Sequence, residues 1–149
     1  MFTKDVLVKL RDEAKQHLEH ELLPFWLDRC KDEKNGGFIT QFDKDGNDTG
    51  EDQKSLIAQT RTIYTMASAH RAGYGNGVCA EYAKFGVDFL LDKMWDNIYE
   101  GFFWTVDRKG NVQIDKKIAY GLSFAIYSLS EYTLATGDSR GLQYAERVF

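Results

Sequence analysis

Charge is scarcest where a surface helix would need it most. Ser55–Ala69 (SLIAQTRTIYTMASA) carries one charged residue, Arg61, and Ile118–Ser130 (IAYGLSFAIYSLS) carries none. Helices so poor in charge have no solvent face and need cover on most sides. Arg61 cannot shed its charge there and needs a carboxylate, a wet cavity or a ligand. Cysteine is nearly missing too. Cys30 and Cys79 stand far apart among apolar neighbours, which excludes a disulfide framework or a cysteine metal pair and leaves two reduced, packed thiols. No stripe of Lys or Arg occurs, and 19 basic residues face 23 acidic ones, so a nucleic-acid footprint is excluded. No uncharged apolar run reaches bilayer length, and the first residues (MFTKDVLVKLRDEAKQ) alternate in charge, unlike a signal or transit peptide. A soluble cytoplasmic protein without membrane partners is the expectation.

What is present is helical periodicity interrupted by turns. From Thr3 to about Cys30, Leu7, Leu10, Ala14, Leu18, Leu22 and Phe25 fall on one helix face, with Thr3 as N-cap. The single proline, Pro24, should kink or break this surface helix near its end. Residues 31–53 hold turn signals at Asn35-Gly36-Gly37 and Asp45-Gly46-Asn47, with Phe38–Phe42 alternating like a short strand. Residues 54–72 form the charge-poor helix, ended by Gly73 and Gly75. An amphipathic helix over 78–95, a loop over 96–114 and a second uncharged helix over 116–136 follow. Thr136-Gly137-Asp138 stops that helix, and a third amphipathic helix opens at 139–149.

This order is a repeat. Gly37, Phe38, Asp43, Gly46 and Asn47 recur 64 positions on as Gly101, Phe102, Asp107, Gly110 and Asn111, with Arg108 answering Lys44. At an offset of 63, Lys54, Ile63, Tyr64 and Ala72 recur as Lys117, Ile126, Tyr127 and Ala135. Each unit is a surface helix, a hairpin loop and a buried helix. Such units bury an all-round apolar helix only between neighbours. Charged outer helices around uncharged inner ones predict an all-α, two-layered α/α toroid, with an open solenoid as the alternative. About two and a third units are too few to close a ring, so residues 1–149 are expected to be the N-terminal part of one barrel domain.

The segments NGGFITQFDKDGN, KSLIAQTRTIYTMASAHRA, GFFWTVDRKGN and KKIAYGLSFAIYSLSEYTLATGD resemble the N-acylglucosamine 2-epimerase / cellobiose 2-epimerase family. The resemblance implies an (α/α)6 barrel and epimerisation or aldose–ketose isomerisation of a mono- or disaccharide, with no metal or other cofactor. In that chemistry a base removes the proton α to the carbonyl, and the enediolate is reprotonated on the other face. The bases need pKa values near neutrality, and a cation or donor must hold the oxyanion. Arg61 stands where the family places its substrate-oxygen arginine. Tyr120 and Phe124, in AYGLSF, stand at lumen-facing aromatic positions, and Trp104, in GFFW, is a candidate for the rim. The internal repeat independently puts Phe124 where Arg61 sits one unit earlier. The family's paired histidines belong to later repeats, and His17, His20 and His70 do not match them. The fragment is therefore expected to be inactive and, with inner-helix edges uncovered, to self-associate.

Other readings of these residues stand beside this one. Arg61 could pair with a buried carboxylate such as Glu131. Asp43, Asp45, Asn47 and Asp48 suggest a calcium loop, but its sixth position is Asp48 and its twelfth Lys54, where glycine and glutamate are required. His17 and His20 could share a metal only with further ligands. A glycoside hydrolase or lyase on a similar barrel needs two flanking carboxylates, and the inner helices offer none before Glu131. A non-catalytic helical-repeat module would use the aromatic face for binding but lacks a polar capping repeat.

Overall fold

The computed structural model describes residues 3–149, which are mostly helical. The outer layer begins with α1 (Lys4–His17), a π-helical turn (Leu18–Leu22) and α2 (Leu23–Arg29). Thr3 caps α1 as expected, its Oγ1 accepting from Val6 N at 3.4 Å. Pro24 breaks nothing. It lies in the first turn of α2, directly after the π turn, where Leu23 N donates to Leu18 O five residues back. A wider turn in front of the proline relieves the clash its ring would make with an α-helical carbonyl.

Next come β1 (Gln53–Ser55) and the inner helix α3 (Leu56–Arg71), then α4 (Val78–Phe89) with its own π turn, Leu90–Met94. β2 (Thr105–Asp107), β3 (Val112–Ile114), inner helix α5 (Ala119–Thr136) and α6 (Ser139–Val148) complete the order. α3 packs against both α4 and α5, and α5 against α6. The core is continuous through Phe38, Leu56, Ile63, Leu90, Phe102 and Leu129.

Two features correct the sequence reading. The strand expected at Phe38–Phe42 is absent: only isolated bridges form there, Lys31 to Phe38 and Phe42 to Asp48. The strand lies instead at Gln53–Ser55 and pairs antiparallel with β2, which pairs with β3, so a small sheet joins the loops of both repeats to an otherwise helical fold. The inner helices are also not covered all round. Tyr120, Tyr127 and Leu134 of α5 are 57%, 51% and 71% exposed, and Leu7 and Leu10 of α1 face solvent as well.

The repeat is reproduced bond for bond in the loops. Asp43 Oδ1 accepts from Asp45 N and Asn47 N at 2.8 and 2.9 Å, and Asp107 Oδ1 accepts from Lys109 N and Asn111 N at 2.9 and 2.8 Å. Each turn is closed by a glycine at positive φ, Gly46 or Gly110. Of the suspected calcium loop's carboxylates, Asp43 is thus spent on the turn, Asp48 on Gly50 N and Arg108, and Asp45 on Lys44. Among the described residues, no group of three or more His, Cys, Asp or Glu side chains could hold a metal ion, and no helix is long and apolar enough to cross a membrane.

Candidate active site

The N-terminal ends of α3 and α5 are set side by side by the loops in front of them. Lys54 is buried immediately before α3, where its ammonium donates to Asp32, to the Gly36 carbonyl and to the Arg108 carbonyl. Ser55 then caps α3, its Oγ accepting from Ala58 N at 3.2 Å. Leu56 N donates to Trp104 O at 2.9 Å, which ties the start of α3 to the second loop. Trp104 packs on Gly121 in the first turn of α5. A Cβ on Gly121 would lie 2.8 Å from Trp104 Cζ3 and 3.0 Å from Leu56 Cδ2, so glycine admits the indole and the leucine together.

One and a half turns into α3, Arg61 projects from an exposed position. Its guanidinium carbon lies 4.8 Å from the centroid of the Phe124 ring. Tyr120, one turn earlier on α5, meets Phe124 edge-on at 5.1 Å and 75°. Arg61 forms no ion pair among the described residues. The buried carboxylate considered for it, Glu131, is taken by Arg71 at 2.7 Å, ten residues further along α3. That pairing also occupies the inner-helix carboxylate a glycosidase reading would need.

Arg61, Phe124 and Tyr120 therefore form one contact chain, with Trp104 beside its base at Gly121. Of these four residues only Arg61 lines the neighbouring open cavity of ≈ 420 Å³, whose wall is mostly apolar and includes Trp26, Thr40, Ile57, Thr62 and Met66. An apolar wall with one indole, one guanidinium and a few hydroxyls is the make-up of a small-molecule site. Thr62 was legible in principle, since it neighbours Arg61 on α3. Trp26 and Thr40 were not, because loop packing brings them in: Trp26 is held edge-on by Phe25 and Phe42 at 5.6 and 5.7 Å.

The histidines stay away from this site. His17 Nδ1 faces Glu21 Oε2 at 3.2 Å on the exposed first helix, and His20 is exposed nearby. His70 is nine residues beyond Arg61 on α3, roughly 13 Å along the axis.

Comparison with known proteins supplies the family. The sequence profile of the N-acylglucosamine 2-epimerase (GlcNAc 2-epimerase) family matches residues 37–149. The cellobiose 2-epimerase of Bacteroides fragilis is 34% identical over 146 residues, covering 94% of this chain and 36% of its own length. The structure of cellobiose 2-epimerase from Spirochaeta thermophila superposes with a TM-score of 0.90 at 30% identity, over 98% of this chain and 36% of that one. The enzyme of the same name from Bacillus thermoamylovorans gives 0.87 at 31%, over 94% and 36%. The chain thus spans about a third of the length of the curated relatives it matches.

Proposed function

We infer from the family to which this chain belongs, the N-acylglucosamine 2-epimerases, that residues 1–149 are the N-terminal portion of an (α/α)6 barrel acting at C2 of an aldose. The reaction is epimerisation or aldose–ketose isomerisation of a mono- or disaccharide. A base takes the C2 proton, the electron pair of that C–H bond forms the enediolate double bond, and the carbonyl oxygen becomes the oxyanion. Arg61 holds that oxygen, and Tyr120, Phe124 and Trp104 shape the sugar site. The observation that carries this reading is Arg61 itself: a guanidinium without a carboxylate, laid over an aromatic ring at the edge of an open, mostly apolar cavity. A cation fixed in advance where charge develops is the largest single contribution in many such sites.

The proton transfers need groups that this site lacks, since no imidazole approaches Arg61 among the described residues. The 149-residue chain alone is therefore proposed to be inactive and, through the open faces of α3 and α5, to self-associate.

The test is a chimera in which residues 1–149 replace the corresponding part of the Bacteroides fragilis cellobiose 2-epimerase, with cooperative unfolding as the control for folding. The chimera should convert cellobiose to its C2 epimer and, in D2O, place deuterium at C2. Arg61→Ala should reduce turnover about 10²–10³-fold, the usual cost of removing one oxyanion donor. A folded chimera whose turnover does not change with Arg61→Ala would remove Arg61 from the mechanism.

A further inference from the structure

We propose that Phe124 is a positioning residue that acts through Arg61, holding the guanidinium in place while leaving its charge and its donors free for an oxyanion. The oxyanion part of this inference rests on the functional reading above; the geometric part does not.

Five of the seven arginines are fixed by carboxylates: Arg11, Arg71, Arg108, Arg140 and Arg147. The other two lie over rings instead, Arg29 over Phe25 at 4.9 Å and Arg61 over Phe124 at 4.8 Å, and of these two only Arg61 lines the cavity. A carboxylate would neutralise the guanidinium and take its N–H donors in paired hydrogen bonds. A ring face attracts the cation through its quadrupole and leaves the charge intact. The ring is itself held in place, because Tyr120 stands edge-on against it one helical turn away. Phe124 is also the repeat counterpart of Arg61, so two equivalent positions on adjacent inner helices meet. Tyr64 and Tyr127, the next such pair along, stack at 4.1 Å and keep the two helices in register. Arg61 is thereby ringed on one side and open to the ≈ 420 Å³ cavity on the other.

The experiment uses the full 149-residue chain with isotope-labelled arginine, the Arg61 side-chain resonances being assigned by their loss in Arg61→Lys. A guanidinium over a ring is shifted upfield. The shift should vanish in Phe124→Leu, survive in Phe124→Tyr and Phe124→Trp, and shrink in Tyr120→Leu, a variant at an exposed position that serves should Phe124→Leu not fold. The probe for the oxyanion is gluconohydroxamate, whose planar hydroxamic acid group mimics an enediolate. It should move the same resonances saturably, bind about two- to five-fold more weakly to Phe124→Leu, and keep its affinity for Phe124→Tyr. In an Arg61→Ala background Phe124→Leu should have no further effect on binding, which a general packing defect would not reproduce. Arg61 resonances that ignore Phe124→Leu and Tyr120→Leu would overturn the proposal. Resonances that respond to those variants but not to the probe would support the geometry and overturn the oxyanion part of the inference, and the chimera tests the sugar reading separately.

Discussion

Lys54 Nζ lies 2.9 Å from Asp32 Oδ2, with both side chains only 4% exposed. Their repeat counterparts, Lys117 and Asp96, meet at 2.6 Å, but Lys117 keeps 26% of its side chain in solvent. Removing one partner of a buried pair strands a charge in a poor dielectric, at a cost of about 3–5 kcal/mol. Asp32→Asn, which leaves Lys54 without a carboxylate, should destabilise by that order, and Lys54→Met by less, because Arg108 Nε still meets Asp32 at 3.2 Å. The double variant Lys54→Met/Asp32→Leu should recover part of the loss, because no charge is left alone. Asp96→Asn leaves Lys117 where water can solvate it and should cost less than Asp32→Asn, whereas Lys117→Met leaves Asp96, only 8% exposed, without its cation and should stay costly. Urea unfolding of all these variants gives the ranking, and equal losses for Asp32→Asn and Asp96→Asn would contradict it.

The acid limb of stability should report the same network. Burial alone would raise the Asp32 carboxyl, but hydrogen bonds from Lys54 and Asn35 and the Lys54 charge bring it down to about 2. Arg140 holds Asp138 below the usual carboxylate range, and Arg108 does the same for Asp48. A carboxyl whose folded value is depressed adds stability that is fully present above its unfolded value, about 4, and lost as pH falls through the folded value. Unfolding free energy should therefore hold above about pH 5 and fall between about pH 4 and 2. Asp32→Asn should make that fall shallower. A profile equally steep in wild type and variant would remove Asp32 from the account.

The parts of the fold legible in sequence were those written locally. The alternation of charged and uncharged helices located α3 to α6 to within a few residues. The glycine stop was right as well: Gly137 ends α5 in the left-handed conformation, with φ 75°. The offset of 64 foretold that the turn at Asp45-Gly46-Asn47 recurs one unit later, and the structure adds that Asp43 and Asp107 close the two turns alike. Arg61 stood out because it was a lone charge. What stayed hidden depends on distant partners. Gln59 looks like any polar residue in a helix, yet its amide bonds both Phe38 N and Phe38 O at 2.8 Å. The π turn before Pro24, the strand at Gln53–Ser55 and the arrival of Trp26 at the cavity are likewise answers to tertiary packing.

Two helical glycines mark close approaches where an added methyl group should destabilise despite the gain in helix propensity. A Cβ on Gly86 would collide with Phe38 Cε2 and lie 2.7 Å from Ile63 Cγ1. On Gly141 it would meet the Leu129 carbonyl oxygen at 2.5 Å. Alanine offers up to about 1 kcal/mol of propensity over glycine, whereas overpacking costs about 1–3 kcal/mol or more. Both Gly86→Ala and Gly141→Ala should melt several degrees lower. The latter should suffer more, because a backbone carbonyl cannot rotate aside as a ring can. A rise in melting temperature for either would mean the helices separate freely.

Tyr64 and Tyr127 make the clearest test of whether equivalent positions of neighbouring inner helices hold each other. Their rings stack with an interplanar angle of 19° and centroids 4.1 Å apart. Aromatic pairs contribute about 0.5–1.5 kcal/mol beyond the area they bury. A double-mutant cycle through Tyr64→Leu and Tyr127→Leu should return a coupling of that size, since each leucine keeps apolar bulk and loses the ring contact. The same cycle run on the chain carrying Tyr64→Phe and Tyr127→Phe should return nearly the same value, because the phenylalanines keep the stacked faces and lose only the hydroxyls. Coupling that disappears with the hydroxyls would place the interaction in hydrogen bonding. Coupling near zero in both cycles would mean the α3–α5 register is set by the buried residues beneath, Ile63 and Leu129 among them.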